Sequence, residues 1–108
     1  GTGTWGPYVV TADELPAGGA GLKIETRLNG KTMQSSNTAD MLFDVATVIS
    51  TVSEAITLQP GDIIFSGTPA GVGFGRNPKL YMKHGDVVEV EIERIGLLRN
   101  AIRDQQPR

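Results

Sequence analysis

The sequence predicts a mixed, β-rich α+β fold with one main helix. Three observations lead there. Residues 22–28 and 88–92 alternate apolar and polar side chains with a period of two, the pattern of half-exposed strands. Residues 39–54 instead repeat apolar side chains at three and four positions, the pattern of one helix face. Short segments rich in glycine, proline and asparagine separate these pieces. In a chain of 108 residues, 39% hydrophobic and 20% charged, this amounts to one small domain with a modest core.

The elements follow in order. Residues 1–7 have no period and read as a loop; residues 8–11 are strand-like, and 12–21 form a connector rich in Gly and Pro. In the next strand Leu22, Ile24, Thr26 and Leu28 share one face, and Lys23, Glu25 and Arg27 take the other. Asn29-Gly30 is a hairpin signal because both residues tolerate positive φ, so residues 31–34 should return antiparallel. The helix over residues 39–54 carries Met41, Leu42, Val45, Val48, Ile49 and Val52 on its apolar face, which Ile56 extends, with Asn37 or Thr38 as cap. Its β-branched residues lower helix propensity, so it should depend on tertiary packing. Residues 63–66 read as a short buried strand. Val88, Val90 and Ile92 alternate with glutamates, and residues 94–102 should continue the sheet. Residues 101–108 read as a polar, flexible tail.

Composition excludes several functions. A net charge of −2 without a basic patch gives no footing for nucleic acid or an anionic membrane. With no cysteine there is no disulfide framework, thiolate zinc site or cysteine nucleophile. Gly1 is not an initiator methionine, which suggests a processed or partial chain.

Ser-Gly-Thr-Pro-Ala-Gly-Val-Gly-Phe-Gly, residues 66–75, holds four glycines directly after an apolar run. It is no P-loop, because Arg76-Asn77-Pro78 stands where Lys-Ser/Thr should open a helix. Nor does the acidic partner of a dinucleotide fingerprint follow. Two readings stay open: a turn that lets backbones pass closely, or a backbone-lined pocket. In the second, Ser66, Gly67 and Thr68 would offer amides and a hydroxyl to a carboxylate or enolate oxygen. Elsewhere the chemistry is thin. His84, the only histidine, sits in an apparent exposed turn, and Glu89, Glu91 and Glu93 most simply form a solvated face.

Four segments, in order and spacing, resemble the C-terminal part of the fumarylacetoacetate hydrolase family: GPYVVTADE (6–14), LNGKTMQSSNTADMLFDV (28–45), TLQPGDIIFSGTPAGVG (57–73) and KHGDVVEVEIERIGLLRN (83–100). The resemblance implies that residues 1–108 are the C-terminal portion of one catalytic domain, a mixed sheet rolled around a deep pocket and incomplete without its N-terminal half. It implies a cytoplasmic, homodimeric enzyme that uses Mg²⁺ or Mn²⁺ on small 2-oxo or 2-enol carboxylic acids. Hydrolysis of acylpyruvates or isomerisation of unsaturated dioates from aromatic catabolism leads; decarboxylation and hydration are alternatives, as is a non-catalytic binding or assembly fragment. The family's Glu-x-Glu and Asp metal ligands, its lysine upstream of the Gly-Pro pair and its lid His and Glu have no counterpart here. The resemblance therefore places no metal ligand in this chain and expects the catalytic residues mostly in the preceding half, leaving this fragment inactive alone. By resemblance Gly67 and Thr68 contact the substrate's pyruvate-like end, while Pro69, Gly71 and Gly73 shape the loop. Asn37 and Thr38 precede a helix near the pocket, though capping is the simpler role for both.

Overall fold

The computed structural model describes residues 3–105. Its centre is a four-stranded antiparallel sheet of β1 (Lys23–Leu28), β2 (Lys31–Asn37), β3 (Val87–Ile92) and β4 (Gly96–Ala101), in the order β2-β1-β3-β4. One helix, α1 (Val45–Ala55), accompanies it. This is the predicted β-rich α+β architecture. Asn29 and Gly30 both have positive φ, 51° and 80°, and make the β1–β2 turn expected of that dipeptide.

Cross-strand pairs share a face, so the register sorts the sheet into two sides. Ile24 pairs with Ile92, Thr26 with Val90 and Leu28 with Val88, giving an apolar inner face. On the outer face the Arg27 guanidinium lies 3.3 Å from Glu25, 3.5 Å from Glu89 and 3.1 Å from Glu91. These contacts raise the Arg27 pKa, Glu91 contributing most and Glu25 next. The glutamate stripe is thus a charge-paired sheet surface.

Three local expectations are corrected. The helix does not run through residues 39–54. A 3-10 turn, Thr38–Asp40, comes first, and Met41 leaves it with ψ 134°. Asp44 then holds an extended conformation and accepts from the Thr47 amide at 2.8 Å, which starts α1 afresh. Two caps in one apolar run start two separate helical segments, and the link between them leaves Leu42 and Phe43 89% and 61% exposed. Residues 63–66 form no strand; Phe65 is 87% exposed. A strand needs a neighbour to receive its amides and carbonyls, and none of the described strands pairs with this run. Residues 8–11 are likewise outside the sheet.

At the other end Ala101 belongs to β4, and the Ile102 amide donates to the Asp86 carbonyl at 2.8 Å. Hydrogen bonding thus continues past the point where a tail was expected, and residues 106–108 lie outside the described residues. The turn at 83–86 is exposed at Lys83, His84 and Gly85, as its composition suggests, and buried only at Asp86. Asp86 is only 4% exposed; its carboxylate accepts from the Asn29 side chain and the Lys83 amide, both at 2.9 Å. Asp86 thereby ties the β1–β2 turn to the entry of β3, and these bonds, Asn29 first, hold its carboxyl below the usual range.

Leu22 is the one fully buried apolar side chain among the described residues. The chain presents 8619 Å² of surface, against about 5,800 Å² for a compact monomer of 11.5 kDa. Its radius of gyration is 15.7 Å, where about 13 Å is usual for this length. The inner sheet face, α1 and the apolar run before the glycine loop are half-covered surfaces.

Candidate functional site

A cleft of about 470 Å³ opens between the start of the glycine loop, the end of β2 and the segment entering α1. Ser66, Gly67, Thr68 and Pro69 line it together with Ser36, Asn37 and Asp40, and Met41, Leu42 and Phe43 supply apolar lining. The fold therefore brings Gly67, Thr68, Pro69 and Asn37 around one space. Gly71 and Gly73 lie further along the loop, beside a second hollow of about 260 Å³.

Each loop residue has a discernible local reason. Gly67 has φ 94°, and a Cβ there would meet nothing within 4 Å, so backbone conformation alone requires glycine. Gly71 combines φ 111° with a close approach, since a Cβ would run into the carbonyl of Met33. Gly73 has the close approach alone: a Cβ would collide with the carbonyl of Leu80, and the Leu80 amide donates to the Gly73 carbonyl at 2.9 Å. The loop is pressed against β2 on one side and folded onto residue 80 on the other.

Two side chains outside the expected set hold it. Gln34 Nε2 donates to Thr68 Oγ1 and to the Pro69 carbonyl, both at 2.8 Å. Arg76 donates from Nε to the Gly71 carbonyl at 3.1 Å and from Nη2 to the Met33 carbonyl at 2.6 Å. Sequence reasoning missed both. Gln34 sits in a strand and Arg76 follows the glycines, and neither position carries a local signal for a contact 34 or 43 residues away.

Asn37 Oδ1 accepts from the Ala39 amide at 2.8 Å, so it caps the 3-10 turn, and its Nδ2 is left for other partners in the cleft wall. Thr38 is more fully engaged: its hydroxyl accepts from the Leu22 amide at 2.9 Å and donates to the Gly19 carbonyl. It braces the connector against β1. None of the hydrogen bonds among the described residues uses the Gly67 or Thr68 amide. His84 lies away from the cleft and accepts from the Asp104 amide at 3.1 Å.

Asp40, at 3.4 Å from the Ser36 hydroxyl, is the only carboxylate in the cleft wall. Among the described residues no three His, Cys, Asp or Glu side chains converge as a metal site. These residues do not by themselves fit a divalent ion. The cleft offers donors, namely amides, a hydroxyl and a carboxamide, beside an apolar wall. That suits recognition of a small anion with a short carbon skeleton.

Solved structures give the class of protein first. A fumarylacetoacetate hydrolase from psychrophilic Exiguobacterium antarcticum superposes with a TM-score of 0.88 at 44% identity, over 94% of this chain and 36% of that one. A maleylpyruvate hydrolase from Sphingobium sp. SYK-6, in complex with manganese(II) and pyruvate, superposes with a TM-score of 0.83 at 35% identity, over 94% and 35%. Among curated relatives, a mitochondrial oxaloacetate tautomerase of Bos taurus is 48% identical over 97 residues, 90% of this chain and 31% of the tautomerase. The family model for the fumarylacetoacetate (FAA) hydrolase C-terminal region matches residues 1–103. The chain belongs to the fumarylacetoacetate hydrolase family. It spans about a third of the length of these relatives.

Proposed function

We propose that this chain forms the substrate-receiving part of a hydrolase or isomerase acting on small 2-oxo or 2-enol carboxylic acids, with Thr68 and the Gly67-Thr68 amides taking the carboxylate. The observation that carries this is the Ser66–Pro69 segment, which lines one cleft together with Asn37 and leaves both the Gly67 and Thr68 amides without a partner among the described residues. Membership in a family of hydrolases and tautomerases supports the reaction class, and the neighbour holding pyruvate supports the ligand class.

In this proposal the chain binds and orients. Thr68 Oγ–H and the two amides hold the carboxylate by charge-assisted bonds. Gly67, with no side chain, lets the ligand approach the backbone. Met41, Leu42 and Phe43 offer the carbon skeleton apolar contact in the same cleft. A divalent ion such as the manganese of that neighbour would take its ligands from outside this chain, since no three candidate ligands converge among the described residues. The excess surface noted above, about 2,800 Å², exceeds one partner's share of an ordinary protein interface, about 800 Å². It fits a chain completed by the remainder of its own domain and, in the same proposal, by a second copy.

The test is a substrate panel on the enzyme that carries this chain, with and without Mg²⁺ or Mn²⁺: acetylpyruvate, fumarylpyruvate, oxaloacetate and a 2-hydroxy-hepta-2,4-dienedioate. Turnover of at least one is expected. Failure on every 2-oxo acid, with the protein folded and metal present, would overturn the proposal in favour of a binding role.

A further inference from the structure

We infer that Gln34 is a positioning residue that leaves the Thr68 hydroxyl proton free for the substrate, and that a β-bulge at Met33 is what brings it there. This deepens the reading of Thr68 as the carboxylate-receiving group and rests on it.

A threonine hydroxyl can present either a proton or a lone pair, so by itself it does not distinguish an anion from a donor ligand. Gln34 biases that choice by occupying one of the two lone pairs and leaving the proton free. One Nε2 hydrogen goes to the Pro69 carbonyl, which can only accept. That fixes the amide group with nitrogen toward the loop, and the same nitrogen then donates to Thr68 Oγ1 at 2.8 Å. The Thr68 proton cannot point back along that bond. It points elsewhere, and the cleft wall is where Thr68 lies. The arrangement favours a partner with lone pairs, such as a carboxylate or enolate oxygen.

The register explains how Gln34 reaches the loop. The Asn29-Gly30 turn pairs Leu28 with Lys31 and Arg27 with Thr32. Continued regularly, that ladder would set Met33 opposite Thr26 and Gln34 opposite Glu25, on the charged outer face. Instead the register shifts between Thr26 and Arg27: Met33 is left unpaired, Gln34 opposes Thr26, and Ser36 opposes Ile24. A one-residue shift moves side chains to the other face of a strand. Gln34 and Ser36 thus come to the inner face under the glycine loop. The bulge is held in turn by Arg76, whose guanidinium joins the Met33 and Gly71 carbonyls.

The experiment is a double-mutant cycle in the enzyme that carries this chain, with Thr68→Val and Gln34→Met alone and together. It is read as kcat/KM on the best substrate of the panel and as Kd for pyruvate, both well below the melting temperature. If Gln34 acts through the hydroxyl, Gln34→Met weakens both when Thr68 is present and changes little in the Thr68→Val background. The coupling should be about 2- to 150-fold, the range for side chains in one hydrogen-bond network. Should Thr68→Val be damaging while the two losses simply multiply, the positioning role is overturned and the carboxylate role of Thr68 stands. Should Thr68→Val be silent, the underlying reading fails and the inference with it. Gln34→Ala removes the donor without adding a charge; it serves if Gln34→Met does not fold, with the same coupling expected.

Discussion

Replacing Thr68 by valine probes the proposed site with the least disturbance. Valine keeps the β-branched shape, and the Thr68 amide stays in place. Two bonds change. The first is the internal one, in which Thr68 Oγ1 accepts from Gln34 at an exposed position; Gln34 keeps its bond to the Pro69 carbonyl. Losing it should cost about 0.5–1.5 kcal/mol of folding stability. The second is the bond to the ligand's carboxylate, charge-assisted and worth about 1.5–3 kcal/mol. At about 1.4 kcal/mol per tenfold, that is a loss of about 10- to 150-fold in kcat/KM. A bond equally strong in ground and transition states would place the loss in KM; one that strengthens as the enolate forms would place it in kcat. The assay is steady-state turnover of the best 2-oxo acid, with thermal melts alongside. A variant whose melting temperature falls while kcat/KM stays within about twofold of wild type would refute the reasoning. Thr68 would then be a brace for the glycine turn and nothing more.

Gly71→Ala should destabilise the protein by more than about 1 kcal/mol, because it puts a Cβ at φ 111° against the Met33 carbonyl; an unchanged melt would show that the loop yields freely. Gly67→Ala tests conformation alone, since its Cβ would meet nothing, and should destabilise less than Gly71→Ala; the reverse order in thermal melts contradicts the assignment. The Asp86 carboxyl is held below its ordinary value of 3.8, so its contribution is full above that value and is lost as pH falls through the lower folded value. Wild type and Asp86→Asn should therefore melt apart at neutral pH and converge in acid, and a gap that persists unchanged at low pH would contradict this. Calorimetric titration of Mg²⁺ or Mn²⁺ into the isolated chain should show no saturable site, given that no three candidate ligands converge among the described residues; a stoichiometric micromolar site would be the opposing result.

Much of this protein can be read directly from its residues. Period-two alternation put Ile24, Thr26, Leu28, Val88, Val90 and Ile92 on one face, because side chains in a strand must alternate. Asn29-Gly30 determined the hairpin, because both residues adopt positive φ at small cost. The motif series determined the family. These are local or cumulative signals, and they need no knowledge of what lies across the molecule. Tertiary structure decided the rest. Apolar spacing could not reveal that Asp44 would cap a second helical start, since a cap is a side-chain hydrogen bond and leaves the period intact. The run at 63–66 has strand composition, yet a strand is a pairing, and pairing belongs to the partner as much as to the run. Whether the glycine loop was a turn or a cleft wall depended on Gln34 and Arg76 reaching it from far along the chain. Gln34 faces that loop only because one residue, Met33, is skipped in the β1–β2 ladder. Sequence alternation assigns faces within a strand, but a bulge is set by the fit between strands and by what grips the extra residue, and both exist only once the chain has folded.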